Sequence, residues 1–376
     1  MNILIIFTYN VSLKNWHDQG LLFREMSLYK ELEKVDKNLQ FTFLTFGDNN
    51  DYDIQKLNNL ENFTVIPFYS FVKKSKFKII NLIKSIYFPF KYKSVLFKNI
   101  NLIKTNQLNG SWIAIVLGSI LNIHTIIRTG FSPYLFSIFS GKGFVKVYLY
   151  KLLTKISINY ASIFTVTSIS EKKDLEKLLK IRNSKIEIRS NWVFYDQLQS
   201  LQNRKNNSVL TVGRIEQQKN YFELIDQFKD SNFSIDLVGS GSLKEKLLIH
   251  AKRQNVKVNF LGNIDNYKLL QLYKKYKYYV MFSEYEGNPK SLKEAMASGC
   301  IVFAKDIKNT REIIQNEANG ILIDSKNDNL VNILENLRKN FKLEEQLSHN
   351  AYESMKIYSL NQYVKNEIED FYNLKQ

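Results

Sequence analysis

The sequence predicts an α/β protein of two domains, each a parallel β-sheet with helices on both faces. The chain has 376 residues, which corresponds to about two domains of ordinary size. Short apolar runs of strand length alternate along it with longer stretches of helical pattern, as in βαβ units. Hydrophobic residues make up 44% of the chain, which is enough to give each domain a core.

The first domain is predicted over 1–195, followed by a polar linker over 196–207 that is rich in Gln and Asn. Its predicted strands are Ile3–Thr8, Phe41–Phe46, Thr64–Pro67, Thr125–Arg128, Ile163–Ser168 and Lys185–Arg189. Its predicted helices include Gly20–Lys34, Trp112–Leu121, Val145–Tyr160 and Ser170–Lys180. The second domain is predicted over 208–355, and 356–376 is predicted to contain a last helix, Asn361–Leu374.

The composition argues against several classes of protein. The only cysteine, Cys300, rules out an internal disulfide framework, and its apolar neighbours indicate a small core residue. The four histidines are scattered without ligand spacing, so no metal site is predicted. Residues 112–127 are apolar but contain polar positions, which favours a helix followed by a strand over a membrane span. The apolar start, 1–7, lacks the features of a secretory signal and is interpreted as a strand of a cytoplasmic protein.

One segment, SEYEGNPKSLKEAMASGC from Ser283 to Cys300, predicts a strand end, a tight loop and a helix start. The apolar run 278–282 precedes it as a buried strand. Pro289 suits the first turn of a helix, which is predicted over 291–298 and stopped by Gly299. The N–H groups and the dipole at such a helix start favour an anion such as a phosphate.

Two glutamates bracket this loop, Glu286 within it and Glu294 about one turn into the helix, with seven residues between them. The whole string resembles the E-x7-E motif of retaining GT-B glycosyltransferases, in particular glycosyltransferase family 4, the group 1 glycosyl transferases. The resemblance implies two Rossmann-like domains facing each other across a cleft, with a C-terminal helix crossing back to the first domain. It also implies that Glu286 binds hydroxyls of the donor sugar and that Glu294 binds the ribose hydroxyls.

A second motif, Gly213-Arg214 with Lys219 five residues after the arginine, follows the first strand of the second domain. Arginine offers a forked donor, lysine a point charge, and the helix predicted over 221–230 adds N–H groups, which together suit a diphosphate. The spacing resembles the G-R-x-x-x-x-K motif of the same family. The resemblance implies that Arg214, Lys219 and Glu286 carry catalysis by electrostatic stabilisation and positioning, with no metal and no other cofactor.

The resemblance further implies a set of donor contacts spread over both domains. In the first domain, Gly20 closes a polar loop that starts at Thr8, although it also suits a plain turn. Arg128 or Thr129 is expected to face the donor from the carboxyl end of a strand, whereas His124 precedes that strand and is interpreted as structural. In the second domain the expected donor contacts, besides the three catalytic residues and Glu294, are Gly213, Gly239, Ile264, Gly287, Asn288, Pro289, Lys290 and Ser291. Of these, Asn288 and Lys290 are the side chains predicted to influence donor choice.

The chain has a net charge of +17, and its most basic stretch runs from Lys73 to Lys104, where lysines alternate with Phe, Tyr, Ile and Leu. Such a basic amphipathic stretch favours contact with an anionic membrane surface. Ordinary helices with solvated lysine faces are the alternative, and AT-rich codon usage is another source of lysine. Nucleic acid is not expected, because arginine is nearly absent here and no binding module fits.

The resemblance implies a bacterial retaining glycosyltransferase of the hexosyltransferase type, and the basic stretch adds the expectation that it is peripherally bound to the inner face of the cell membrane. It would move a sugar from a UDP- or GDP-sugar to a saccharide or lipid-linked saccharide in cell-surface polysaccharide or lipopolysaccharide synthesis. One alternative is a GT-B relative that isomerises or hydrolyses a nucleotide sugar, although a hydrolase would not need the pair of Arg214 and Lys219. The other alternative is a non-catalytic, basic membrane- or nucleic-acid-binding protein.

Overall fold

A computed structural model describes residues 1–182 and 185–374 of the chain. The chain divides into two compact units. Unit 1 contains the residues from Met1 to Ser190 and those from Val364 onward, and unit 2 is Asn191–Tyr363. The predicted domain limits at residues 195 and 355 lie near these two junctions.

Strands and helices alternate through both units. The strands are β1 Asn2–Ile6, β2 Gln40–Thr45, β3 Thr64–Pro67, β4 Leu102–Thr105, β5 Thr125–Arg128, β6 Ile163–Val166, β7 Ile186–Ile188, β8 Lys205–Val212, β9 Ser234–Val238, β10 Lys257–Gly262, β11 Tyr276–Met281, β12 Ile301–Lys305 and β13 Ile321–Ile323. The helices are α1 Leu13–Asp18, α2 Leu22–Val35, α3 Asn50–Leu57, α4 Phe68–Phe71, α5 Lys78–Leu96, α6 Ser111–Leu121, α7 Pro133–Phe139, α8 Phe144–Tyr160, α9 Ile169–Leu179, α10 Tyr221–Gln227, α11 Lys244–Arg253, α12 Asn266–Tyr273, α13 Lys290–Ala297, α14 Lys308–Arg311, α15 Leu330–Arg338, α16 Phe341–Ser354 and α17 Leu360–Asn373. Short 3₁₀ turns lie at Gln217–Lys219 and Lys356–Tyr358.

The seven strands of unit 1 form one sheet in the order β3-β2-β1-β4-β5-β6-β7. Every neighbouring pair is parallel. The side chains of Ile3 to Ile6 are all 0% exposed, as expected for a parallel strand that is buried on both faces. The six strands predicted in the first half of the chain are all present, and β3 and β5 have the predicted limits.

The strand β4 was not predicted, and it corrects the interpretation of the basic stretch. It lies inside the Lys73–Lys104 segment that we expected at the surface, and Lys104 is only 2% exposed. Lys104 forms an ion pair with Glu367 of α17. Burial lowers the pKa of the Lys104 ammonium, while the neighbouring Glu367 carboxylate opposes this effect. The surface part of the basic stretch therefore ends before β4 and consists mainly of α5.

The C-terminal helix, predicted over Asn361–Leu374, is observed as α17. From Val364 onward it belongs to unit 1, where its polar side chains are paired. Arg189 forms a two-point ion pair with Asp370, at 2.8 Å from Nε and 2.5 Å from Nη2. Tyr372 donates a hydrogen bond to Asp36 at 2.6 Å. These contacts fix the helix to the unit that begins the chain.

The polar loop predicted between Thr8 and Gly20 contains a short helix, α1. Ser12 caps it, since its hydroxyl accepts a hydrogen bond from the Asn15 N–H at 3.0 Å. The Asp51 carboxylate accepts a further bond from the Lys14 N–H at 3.0 Å. The helix start is thus held by Asp51 in the first turn of α3, a contact that local sequence does not reveal.

Unit 2 contains a six-stranded sheet in the order β10-β9-β8-β11-β12-β13, again with parallel neighbours. Side chains of β11 enter both cores: Tyr278 and Val280 join one apolar cluster, and Tyr279 and Met281 join the other. The strand β8 begins at Lys205, within the predicted linker.

Two predictions about single segments are confirmed. Cys300 is fully buried in unit 2, and burial raises the pKa of its thiol to about 12. Residues 112–127 form most of α6 and the first part of β5, so they are a helix followed by a strand. In the described part of the chain, no helix combines the length and the apolar character needed to cross a bilayer.

Candidate active site

The motifs of unit 2 meet at the carboxyl edge of its sheet. The strand order reverses between β8 and β11, and ligands of open parallel sheets bind outside the strand ends at such a reversal. The loop 213–220 follows β8, and the loop 282–289 follows β11. Since these strands are direct neighbours, the fold brings the two predicted motifs together.

Two hydrogen bonds join the two loops. The Glu284 N–H donates to the Gln218 carbonyl at 2.9 Å, and the Gln218 side-chain amide donates to the Tyr285 carbonyl at 2.8 Å. Gln218 was not among the predicted site residues. In the sequence, only its position beside Lys219 indicated that Gln218 belongs to the site, because its partners lie more than sixty residues away in the chain.

The central contact is an ion pair between Lys219 and Glu286, with Nζ and Oε1 2.5 Å apart. The two side chains are 15% and 11% exposed, so water screens the pair only weakly. An ammonium has three N–H donors, and the pair therefore leaves donors for a phosphate oxygen. The structure therefore places Lys219, which is predicted to bind the diphosphate, in direct contact with Glu286, which is predicted to bind the donor sugar.

Close backbone packing explains two of the predicted glycines. The Gly213 N–H donates to the Val238 carbonyl at 2.9 Å, which draws the ends of β8 and β9 together. Gly239 has a φ of +139°, and a Cβ there would lie 2.0 Å from the Gly213 carbonyl oxygen. A side chain at Gly239 would therefore push the Gly213-Arg214 turn out of place. Beside this turn, the Arg214 side chain is exposed to solvent.

Glu294 lies inside α13 and is only 4% exposed. Asn266, the first residue of α12, donates a long hydrogen bond to it at 3.4 Å. The other side-chain atom of this amide, Oδ1, is buried without a hydrogen-bond partner among the described residues. Ile264 packs against the apolar cluster on this side of the sheet. A ligand hydroxyl that reaches Glu294 would thus also meet an acceptor on Asn266, which sequence reasoning did not select.

The start of α13 has the predicted form. Pro289 is the N-cap residue, with φ −67° and ψ 105°, and Lys290 and Ser291 open the helix. The Tyr279 hydroxyl donates to the Ser291 hydroxyl at 2.8 Å. Burial raises the pKa of Tyr279 well above its ordinary value, so the phenol keeps the proton that it donates.

The tip of the loop after β11 is held by residues outside the predicted site. Asn191, the first residue of unit 2, donates its N–H to the Asn288 side-chain oxygen at 3.1 Å and its amide to the Asn288 carbonyl at 2.8 Å. Asn309 donates to the Gly287 carbonyl at 2.7 Å. The Asn288 side chain, which we predicted to influence donor choice, therefore also supports the loop through its oxygen.

Replacing Asn191 by Ala is expected to raise the KM for the sugar donor roughly fivefold. The substitution removes the side-chain bond to Asn288 at a buried position and loosens the loop that carries Glu286, and one buried hydrogen bond is worth about 1 kcal/mol. Steady-state kinetics with varied donor would measure the change. Asn350→Ala is the control, since it removes one side-chain bond to a backbone carbonyl elsewhere in unit 2. An unchanged KM in the Asn191 variant would refute the supporting role.

The predicted residues of unit 1 lie at the ends of its strands and helices. Gly20, with φ +69°, occupies the turn between α1 and α2, and its N–H donates to the His17 carbonyl at 3.0 Å. Arg128 ends β5, and one guanidinium N–H donates to the Asn106 carbonyl at 3.3 Å. Thr129 is fully buried, so we expect Arg128 to be the more accessible of the two. His124 is exposed at the amino end of β5, 2.9 Å from the Ser162 hydroxyl, as the structural interpretation predicts.

The described residues contain no group of three or more His, Cys, Asp or Glu side chains that could hold a metal ion. The candidate site therefore consists of a backbone turn at Gly213, an exposed arginine, a lysine paired with Glu286, and the buried Glu294. The site thus offers two cations, Arg214 and Lys219, and two carboxylates, Glu286 and Glu294. A ligand with a diphosphate and several hydroxyl groups matches both.

Comparison with known proteins supports this chemistry. Residues 196–354 match the family model "Glycosyl transferases group 1". The GalNAc-α-(1→4)-GalNAc-α-(1→3)-diNAcBac-PP-undecaprenol α-1,4-N-acetyl-D-galactosaminyltransferase of Campylobacter jejuni is 24% identical over 246 residues, which cover 63% of this chain and 67% of that protein.

Solved structures match over nearly the whole chain. The lipopolysaccharide outer core galactosyltransferase WaaB in its apo form is 18% identical, with a TM-score of 0.69 over 99% of both chains. HepE of Anabaena in complex with UDP is 15% identical, with a TM-score of 0.72 over 99% of this chain and 100% of that one. The predicted resemblance and the predicted fold are both confirmed: the chain has the GT-B fold, and its residues 196–354 match the model of the group 1 glycosyl transferases.

Proposed function

We propose that the protein is a retaining glycosyltransferase of the hexosyltransferase type that uses a UDP- or GDP-sugar as donor. The observation that carries this proposal is the 2.5 Å pair of Lys219 and Glu286, formed between two loops at the reversal point of the unit 2 sheet. A diphosphate bound at Lys219 would have its sugar next to Glu286. The nucleotide ribose would then extend toward Glu294.

In the proposed reaction, the bond between the anomeric carbon and the diphosphate oxygen breaks, and negative charge grows on the leaving group. Arg214 and Lys219 stabilise that charge, together with N–H groups at the start of α13. We propose that these groups replace a metal ion. Transfer is accordingly expected to proceed unchanged when EDTA is added.

Retention requires the acceptor oxygen to bond to the anomeric carbon on the face that the diphosphate leaves. The acceptor hydroxyl then lies next to the departing phosphate oxygen, and its proton passes to that oxygen. In this scheme Glu286 does not bond to the sugar carbon. It holds donor hydroxyls in place, and Lys219 keeps the carboxylate oriented.

We propose a saccharide or lipid-linked saccharide as acceptor, within bacterial cell-surface polysaccharide or lipopolysaccharide synthesis. The similarity to a transferase named for an undecaprenol-linked acceptor supports this choice, and the HepE complex with UDP supports the donor class. We also propose that the protein lies peripherally on the inner face of the cell membrane. Helix α5 carries Lys78, Lys84, Lys91 and Lys93, and no acidic residue, at its surface.

The experiment that tests the function is transfer from labelled UDP- and GDP-sugars to a lipid-linked saccharide. The anomeric coupling constant of the product is then measured by NMR. An α-linked product from an α-configured donor is expected. A β-linked product would disprove retention, and sugar release or isomerisation without acceptor would instead establish a hydrolase or an epimerase.

A further inference from the structure

The positive charge of the chain is concentrated in one part of unit 1. Between Glu61 and Glu171 there is no Asp or Glu, while the same residues include 13 Lys and one Arg. The whole chain has 36 acidic residues in 376, so about ten would be expected in a segment of this length. Codon bias toward lysine does not remove acidic residues. The segment therefore supplies +14 of the net charge of +17.

Helix α8 in this segment exposes its apolar side. Phe144 is 82% exposed, Tyr148 55%, Leu152 45% and Tyr160 62%, and these residues recur every four or eight positions along one side of the helix. The residues that α8 buries are Thr154, Ser157 and Ile158, of which two are polar. This distribution is the reverse of that in an ordinary surface helix.

Polar contacts explain how α8 is held in this orientation. The Ser157 hydroxyl lies 2.9 Å from the Ser111 hydroxyl of α6. On the other side of α6, the Trp112 indole donates to the Ser85 hydroxyl of α5 at 3.0 Å. Polar side chains thus join α5, α6 and α8, and apolar side chains of the two outer helices point away from the unit.

Most of the exposed apolar surface is found on and around these two outer helices. Of the 30 large hydrophobic residues exposed in the described chain, 17 lie within 77–95 and 138–160. So many exposed large apolar residues on two helices that both pack on α6 indicate an interaction site. Each of the two helices contains lysines and no acidic residue.

We propose that α8 is a second membrane-binding element, whose apolar side inserts below the headgroups of an anionic bilayer. This inference rests on the proposed membrane location and adds an apolar anchor to the electrostatic contact of α5. Lys146, Lys151 and Lys155 reach lipid phosphates while their aliphatic stems lie against the acyl region. A second copy of the chain is a poorer partner, because it would place two segments of charge +14 against each other.

Flotation with phosphatidylcholine vesicles that contain about one third phosphatidylglycerol tests this inference. The variant Tyr148→Glu/Leu152→Glu is expected to bind roughly a hundredfold more weakly, since two inserted side chains become charged. Val35→Glu/Leu57→Glu is the matched control: these residues are 57% and 69% exposed in unit 1, outside the acid-free segment, and the charge change is the same. The control is expected to lose no more than about threefold.

A salt series separates the two kinds of contact. Replacing Lys73, Lys74, Lys76 and Lys78 by Gln is expected to reduce the salt dependence of binding and to leave a part of the binding that depends on α8. Equal binding by the α8 variant and the control, at equal melting temperatures, would overturn the inference. It would also be overturned if lipid-free wild-type protein were a dimer and the α8 variant a monomer, because α8 would then be a subunit interface.

The result of the vesicle-binding test does not depend on whether the protein transfers sugar. The α8 variant is expected to transfer sugar to a soluble saccharide acceptor at the wild-type rate. If the wild-type protein transfers sugar to no acceptor but still requires α8 for vesicle binding, the proposed reaction fails and the membrane element stands.

Discussion

Replacing Lys219 by Met is expected to lower kcat/KM for sugar transfer by a factor of roughly 10² to 10³, the usual cost of losing one group that stabilises a developing charge. Methionine keeps the aliphatic stem and removes the ammonium. The variant loses the cation next to the leaving diphosphate, and it leaves Glu286, which is 11% exposed, without its partner. Steady-state kinetics with the preferred donor and acceptor measures the effect.

Lys277→Met is the matched control for this prediction. Lys277 is 10% exposed and pairs with Glu344 at 2.8 Å, so its burial and its ion pair resemble those of Lys219. It lies near the amino end of β11, whereas the candidate site lies at the carboxyl end. Its replacement is expected to lower the melting temperature and to leave kcat/KM within about threefold. Equal loss of activity in both variants would show that the Lys219 effect is one of stability.

The double variant Lys219→Met/Glu286→Gln separates two roles of the lysine. If Lys219 only neutralised Glu286, the double variant would have the same kcat/KM as Glu286→Gln alone. We expect the double variant to regain stability and to be less active than Glu286→Gln alone, because the diphosphate still lacks its cation. Equal kcat/KM in the double variant and in Glu286→Gln would contradict a direct role in leaving-group stabilisation.

Local patterns in the sequence predicted much of the fold and the two site motifs. Strands such as β3 and β5 were predicted to the residue because apolar runs and their flanking breakers are local signals. The string around Glu286 carried strand, loop and helix start within twenty residues. Its secondary structure followed from neighbours in the chain, and its chemistry followed from a family resemblance.

The features that were missed depend on distant partners. The strand β4 was hidden by Lys104, which a buried strand tolerates only because Glu367 follows 263 residues later. Asn191 supports Asn288 across 97 residues, and Gln218 binds Tyr285 across 67. The pattern of α5 indicated an amphipathic helix, but nothing local showed that its Asn81 and Ser85 side chains are buried. Tertiary contacts decided each of these cases.

The second large effect is expected at Glu294, whose replacement by Gln should weaken binding of the nucleoside diphosphate about a hundredfold. Two hydrogen bonds from ribose hydroxyls to a carboxylate are worth about 3 kcal/mol together, and a neutral amide oxygen accepts them less strongly. The Glu294 side chain is 4% exposed inside α13, so water cannot take over the hydrogen bonds that the carboxylate would accept. Calorimetric titration with UDP and GDP measures the change in Kd.

A nucleotide that lacks the ribose hydroxyls tests whether the effect of Glu294 acts through the ribose. Wild-type protein is expected to bind the 2′,3′-dideoxy nucleotide about a hundredfold more weakly than the natural one, because the analogue lacks the hydroxyls that Glu294 accepts. The Glu294→Gln variant should distinguish the two nucleotides much less, since the amide oxygen accepts these bonds only weakly. Glu344→Gln, which changes a carboxylate buried to 1% exposure near the other end of β11, should alter the melting temperature while preserving the discrimination. If the Glu294 variant still preferred the natural nucleotide by the wild-type factor, the ribose would have to bind elsewhere, and the donor would lie across the two loops in a different direction from the one that the Lys219–Glu286 pair suggests.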